Sequence, residues 1–456
     1  MMETPVCDFV RAYAASSALR LHMPGHKGTP FLGLEALDIT EIDGADVLYK
    51  SDGIIRRSEE NAAALFGTAR TVYSAEGSSL SIRAMLYLLR MYGAASGKPP
   101  LIAAGRNAHT VFMTAAALLD LDIAWIFPGK QEGIVSCEIT ADALDRFLAA
   151  MEEKPIAVYI TSPDYLGNQV DIRQLARVCR SHGVLLAVDN AHGAYLRFLP
   201  EPCHPIALGA DLCCDSAHKT LPVLTGGGYL HIADTAPVLF REQAESAMAL
   251  FASTSPSYLI LQSLDMANRY LSEGYRERLA SCSERIAALK GRLSSAGYTL
   301  TGTEPLKITI AAKPYGYTGA ELARQLSARN IVCEFYDPDC AVMMLTPESR
   351  DDALSRLEEA LLEIPARPAI LEQAPPMSKP VKGLSSREAL LSPGRVLPAR
   401  ECRGRILSSA AVSCPPAIPI VVCGEVIDEA AIRLLDYYGI QSCRVLDGPA
   451  PLWPAK

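Results

Sequence analysis

The chain has 456 residues, of which 49% are hydrophobic and 21% charged, and a formal net charge of −8. That is length for two or three domains and the ordinary balance of a soluble globular protein. It offers no basic footprint for nucleic acid or an anionic membrane surface, so neither is expected as a partner. The segment Met1-Met2-Glu3-Thr4-Pro5 lacks the basic start of a secretory signal, and no later run offers about 18 uninterrupted apolar residues, so a cytoplasmic protein is expected. The 13 cysteines are scattered from Cys7 to Cys443 without a CxxC pair or zinc-ligand spacing. They read as reduced thiols, and no metal site is expected.

The first landmark is Leu21-His22-Met23-Pro24-Gly25-His26-Lys27-Gly28, a loop by its Pro and Gly content. It is either a plain turn or, given two histidines and a lysine, part of a site. Short apolar runs then alternate with helical patterns. Thr71 to Ala75 precedes a helix from Ser78 to Arg90, Leu101 to Ala104 precedes one from His109 to Leu119, and Ile123 to Phe127 follows. Ile156 to Thr161, a helix from Ile172 to His182, and Val184 to Asp189 continue the alternation. Continuous Val, Ile, Leu and Ala runs suit strands buried on both faces, and βα alternation predicts an α/β fold with a mainly parallel sheet covered by helices.

From Pro237 the pattern turns helical, with one long stretch from Ser257 to Leu293. A smaller α/β segment is expected next, with strands over Leu306 to Ala311 and Ile331 to Phe335 and helices near Gly319 to Arg329 and Asp351 to Leu362. Five prolines between Pro365 and Lys382 mark a linker, and a short helix near Asp428 to Tyr438 belongs to a C-terminal appendage. The expected organisation is an N-terminal arm and active-site loop (1–57), a large domain (58–295), a small α/β domain (296–364), the linker (365–382) and a C-terminal domain (383–456).

In open α/β sheets ligands sit outside the carboxyl ends of the strands. Ala75-Glu76-Gly77-Ser78-Ser79, Thr161-Ser162-Pro163, Asp189 and Ser216 each follow an expected strand and fall on that rim. Separately, each has an ordinary reading: Ser78 as a helix cap, Asp189 as a turn cap, His109 as a structural histidine, Lys219 as a surface lysine. Jointly they offer more. Lys219, within Asp215-Ser216-Ala217-His218-Lys219-Thr220, can condense with an aldehyde; Asp189 can keep a ring nitrogen protonated; Gly77, Ser78 and Ser79 can hold a phosphate at a helix start. These are the contacts that pyridoxal phosphate requires.

Several blocks in this order resemble the Orn/Lys/Arg decarboxylases of the aspartate-aminotransferase fold: Leu21 to Gly28, Ser51 to Asn61, Ser74 to Ser79, Asp189 to Gly193, and Asp215 to Lys219. The resemblance implies a fold type I pyridoxal-phosphate enzyme, a homodimer or assembly of dimers with sites at the subunit interface, and a basic amino acid as substrate. It implies Lys219 as the lysine bonded to the cofactor and Asp189 as the ring-nitrogen partner. His109 of Arg106-Asn107-Ala108-His109 would stack on the ring, Ser78, Ser79, Ser216 and His218 would surround the phosphate, and His192 would flank the cofactor. His26 and Glu425, the latter in the family-like C-terminal segment, are candidates for contacting substrate. With Leu21 to Gly28 so near its start, the chain is expected to lack the response-regulator-like N-terminal wing of the larger family members. It has Asn190 where the family often has Glu, Gly226 where Gln is common, and Cys414-Pro415-Pro416-Ala417 for a more usual Tyr-Pro-Pro-Gly. The expected reaction is decarboxylation of arginine, with lysine or ornithine next, to a polyamine or its precursor. The rival readings are an aminotransferase or aldolase-like lyase on the same fold, and a pyridoxal-phosphate-binding protein without turnover.

Overall fold

A computed structural model describes residues 2–128, 137–413 and 419–447. Seven strands form the central sheet: β1 (Arg70–Ser74), β2 (Leu101–Gly105), β3 (Asp122–Ile126), β4 (Ala157–Thr161), β5 (Leu185–Asp189), β6 (Leu212–Asp215) and β7 (Gly228–Ile232), in the order β1-β7-β6-β5-β4-β2-β3. β2 runs parallel to β3 and β5 to β6, whereas β7 is antiparallel to both of its neighbours, β6 and β1. The sheet is therefore mostly parallel, as expected, with one reversed strand that the sequence pattern does not announce. β7 begins at the last glycine of Thr225-Gly226-Gly227-Gly228, which reads as loop, and it buries His231 completely. Because β1 and β6 both oppose β7, they point the same way and end on the same rim.

The chain forms two compact units, the first from Met1–Lys98, Ile156–Val158 and Ile172–Leu279, the second from Pro99–Pro155, Tyr159–Asp171 and Ala280–Lys456. In the first, β5, β6 and β7 are buried along almost their whole length, which is why their sequences are continuous apolar runs. The helix Gly77–Ser96 opens directly from the β1 end and terminates at Gly97, whose left-handed φ of 68° suits a residue without Cβ. The expected helix from Ser257 to Leu293 is two, Tyr258–Ser272 and Tyr275–Ser295, divided at Gly274 with its φ of 68°.

The second unit holds a four-stranded antiparallel sheet of Thr299–Thr301, Lys307–Ala311, Phe335–Tyr336 and Cys340–Met344. The strand expected over Ile331 to Phe335 is displaced: Phe335–Tyr336 turns through Asp337-Pro338-Asp339 into Cys340–Met344, and the aspartate carboxylate of Asp337 accepts the amides of Asp339 and Cys340. Helices Gly319–Ser327 and Ala353–Leu362 stand where periodicity put them, the first closed by a Thr318–Glu321 capping box. Towards the C-terminus Asp428 caps the helix Glu429–Tyr437, and Leu434, Leu435 and Val445 build a small core of their own. Among the described residues no helix is long and apolar enough to cross a membrane.

Candidate active site

The rim of the first unit gathers three loops around the start of the Gly77–Ser96 helix. Ser74, the last residue of β1, donates its hydroxyl to the Gly77 carbonyl at 2.7 Å and accepts the Glu76 amide at 3.1 Å, which turns the chain sharply into the helix. Gly77 takes a φ of 65° there and donates its amide to the Gly226 carbonyl at 2.6 Å. Gly226 is itself left-handed, and a Cβ on it would lie 2.9 Å from the Ala75 carbonyl oxygen, so the departure noted at this position is a place where only glycine fits. His218 joins the same cluster, with its amide 3.1 Å and its Nδ1 2.9 Å from the Gly227 carbonyl.

Ser216 donates its hydroxyl to Ser78 Oγ at 2.9 Å. Ser78 and Ser79 lie in the first turn of a 20-residue helix, half-buried, where free amides and the positive dipole end favour an anion. Two hydroxyls and a helix start, packed against glycines that keep side chains out, are the donor set of a phosphate cradle.

The second half of the site comes from β5 and β6. Asp189 ends β5, only 2% exposed. Its Oδ1 accepts the Ala191 amide at 3.2 Å and lies 3.6 Å from the Cys214 thiol. Burial, then the neighbouring Asp189 and Asp215 carboxylates, push that thiol well up, so Cys214 stays protonated and donates. Lys219 sits in the single helical turn Ala217–Thr220 that follows β6, half-buried, with Nζ 3.0 Å from His192 Nε2. An amine beside an imidazole, a buried carboxylate on the adjacent parallel strand and an anion cradle fit the aldehyde, ring nitrogen and phosphate of pyridoxal phosphate.

A second buried cluster lies directly behind these residues, and no local sequence signal marks it. Asp215, fully buried, accepts Asn190 Nδ2 on Oδ1 at 2.7 Å and the Nε2 groups of His204 and His231 on Oδ2 at 3.1 and 3.2 Å. His204, Asp215 and His231 are the one group of metal-ligand types converging among the described residues, their ligand atoms within 4.8 Å. Protonation argues against a metal: His204 Nδ1 accepts the Ile206 amide at 3.4 Å, so the ring proton is on Nε2 and points at the carboxylate instead of leaving a lone pair there. Burial alone would raise the Asp215 carboxyl, but the His204 and His231 donors reverse this and hold it below the usual carboxylate range. Burial pushes the His231 imidazole down, towards the neutral donor form.

The three further candidates, His26, His109 and Glu425, each have partners of their own. His26, in the N-terminal loop of the first unit, sets Nε2 3.2 Å from Asp38 Oδ2 and accepts the Gly28 amide on Nδ1 at 3.0 Å. His109, in the second unit, is exposed and caps the helix Thr110–Leu118 by accepting the Val111 amide at 3.2 Å. Glu425, also in the second unit, is 4% exposed and takes both terminal nitrogens of the fully buried Arg106 at 2.8 and 2.7 Å. The Arg106 guanidinium lies over the rings of Trp125 and Phe127, 4.9 and 5.4 Å from their centres. The Glu425 carboxylate is thus matched in charge and geometry within its own unit. Cys414 to Ala417 fall outside the described residues.

Residues 4–347 match the model of the Orn/Lys/Arg decarboxylase family, major domain. An arginine decarboxylase of Bacillus subtilis is 28% identical, the match covering 95% of this chain and 93% of that one. One of Halalkalibacterium halodurans is 27% identical over 95% of this chain and 93% of its own. Among solved structures, a lysine decarboxylase of Francisella novicida superposes with a TM-score of 0.79 at 16% identity, over 97% of this chain and 81% of the other. The constitutive lysine decarboxylase of Escherichia coli gives 0.76 at 18% identity, over 98% and 82%. At those identities the superpositions show the fold.

Proposed function

Because the chain belongs to the Orn/Lys/Arg decarboxylase family, we propose that it removes the α-carboxylate of a basic amino acid, arginine ahead of lysine and ornithine, with pyridoxal phosphate bound at Lys219. The observation that carries this reading is the convergence, at one rim, of Lys219 beside His192, buried Asp189, and the Ser78–Ser216 cradle. Full-length similarity to proteins named arginine decarboxylase supports the order of substrates.

When bound, pyridoxal phosphate supplies a ring that takes up the electron pair of the broken Cα–carboxylate bond. The residues do the rest. Ser78, Ser79 and Ser216, with the helix amides, would hold the phosphate, and His218 braces the glycine loop through the Gly227 carbonyl. Asp189, kept from water, holds a proton on the ring nitrogen, which makes the ring a stronger electron acceptor. Lys219 would hold the cofactor through its aldehyde, and its amine, when free, would be the group able to carry a proton to the substrate; His192, 3.0 Å away, can exchange a proton with that amine. His109 and His26 keep the roles the resemblance implies, a ring-facing imidazole and a substrate neighbour. The protein is taken to act in the cytoplasm, where its thiols stay reduced, as a homodimer or an assembly of dimers.

The test is a panel of arginine, lysine and ornithine with the cofactor-loaded protein, read by CO2 release and product mass beside the Lys219→Ala protein. An amine one CO2 lighter than arginine, absent with Lys219→Ala, is expected. No CO2 from any of the three, or a keto acid in its place, would sink the proposal.

A further inference from the structure

We propose that Asp215 is a positioning residue: with Asn190, His204 and His231 it clamps the strand ends that carry Asp189 and Lys219 into one geometry. The proposal rests on the cofactor site described above.

Registered pairing of β5 with β6 stops at Asp189 opposite Cys214. Beyond that point two bonds keep the strand ends together, the Asn190 amide to the Cys214 carbonyl at 3.0 Å and Asn190 Nδ2 to Asp215 Oδ1 at 2.7 Å. The other carboxylate oxygen reaches β7 through His231 and the segment after Phe198 through His204. His231 is held from behind by Thr71 of β1, whose hydroxyl is 2.9 Å from Nδ1. One carboxylate therefore ties the end of β5, where its registered pairing with β6 has stopped, to β6 and β7, which are still paired with each other through Asp215 and Tyr229.

What lies next to the clamp gives it a function. Asp189 precedes Asn190 and His192 follows two residues later; Ser216 follows Asp215 and Lys219 comes four residues on. The Lys219–His192 contact at 3.0 Å joins the same two segments again. Any slip between the strand ends would move the ring-nitrogen carboxylate against the anchoring amine, and misplacement on the order of 1 Å can cost about a hundredfold in rate. Charge also selects the residue at 190. A buried carboxylate is tolerated only with its donors in place, and Asn190 is the one of the three that lies on the Asp189 segment. A second acid at 190 would set two like charges within hydrogen-bond distance.

The experiment uses Asn190→Asp, Asn190→Ala and the double swap Asn190→Asp with Asp215→Asn. In the swap the amide oxygen at 215 faces the two imidazole N–H groups and its NH2 faces the carboxylate at 190, so one charge and all three bonds are restored. Three properties are measured: melting of the cofactor-free proteins, the visible absorbance of the Lys219-bound cofactor against pH, and kcat and KM. Asn190→Asp is expected to lower kcat by about ten- to a hundredfold with KM changed less than about threefold, and to move the pH midpoint of the visible band. Asn190→Ala should do so less, and the swap should recover most of both losses and melt closer to the wild type than Asn190→Asp. Wild-type spectrum, midpoint and kcat in Asn190→Asp or, if that protein does not fold, in Asn190→Ala, would overturn the clamp. A swap no better than Asn190→Asp would overturn it as well. So would a stoichiometric metal ion whose chelation changes the band. A wild type without a Lys219-dependent band would overturn the site reading instead, and the cofactor-free melts would then decide the clamp by themselves.

Discussion

Glu59 shows how a single buried carboxyl couples the site's scaffold to pH. It is 2% exposed, its Oε1 accepts the Tyr73 amide at 2.9 Å, and its Oε2 has no hydrogen-bond partner among the described residues. Burial pushes its carboxyl up to about 8 from a usual 4.5, with the Tyr73 amide opposing. Between those two values the folded protein holds a proton that the unfolded chain has lost. Stability contributed by Glu59 therefore falls as pH rises through that window, by up to about 1.4 kcal/mol per pH unit, and is fully present only at the acid side. Glu59→Gln keeps the shape and the acceptor while removing the titration. Its melting temperature should match the wild type near pH 5 and exceed it at pH 8, with a flatter pH profile between. Melting curves across that range decide the matter, and parallel profiles for the two proteins would show that Glu59 does not titrate there.

The element that makes the cradle is the close approach of β7 to the start of the Gly77–Ser96 helix, and Gly228 permits it. A Cβ on Gly228 would lie 2.8 Å from the Asp215 carbonyl, 3.0 Å from the Gly77 carbonyl carbon and 3.2 Å from the Ser78 amide nitrogen. All three are backbone atoms with little room to yield. Gly228→Ala should push the phosphate-facing amides away from the β6 end, cost about 1–3 kcal/mol of stability and weaken pyridoxal phosphate binding at least about tenfold. Cofactor titration by absorbance, with melting of the cofactor-free protein alongside, measures both; unchanged affinity would mean that the cradle is not where the phosphate binds. The same elements show what a sequence reveals and what it hides. β5 ending at Asp189 and β6 ending before Ser216 are readable because doubly buried strands are short apolar runs closed by a polar residue. β7 is not, since its glycines imitate a loop and a histidine interrupts its apolar pattern. The partners of Asp215 are hidden for another reason: Asn190 is 25 residues away and His231 is 16, and hydrogen bonds between distant residues leave no periodicity.

At the scale of the molecule, the N-terminal segment of the first unit exposes several large apolar side chains. Leu19, Leu21, Phe31 and Leu32 are 82%, 82%, 80% and 91% exposed, all within a stretch of the first unit that has no regular secondary structure. Scattered single apolar residues are ordinary on a protein surface, but four large ones within one short segment signal a face meant to be covered. The stretch also includes His26, the residue proposed above as a substrate neighbour. A second copy of the chain is the occupant consistent with the assembly expected of the family. Replacing Leu21 and Phe31 by aspartate should leave the melting temperature of each subunit's fold nearly unchanged, since neither side chain is packed. It should also shift the protein from dimer to monomer in sedimentation and lower decarboxylation in step with the monomer fraction. Because the cradle and Lys219 lie in the same unit and are untouched, cofactor absorbance should persist in that monomer. A variant that remains a dimer with full activity would remove these residues from the interface, while a monomer of full activity would show that each subunit holds a complete site.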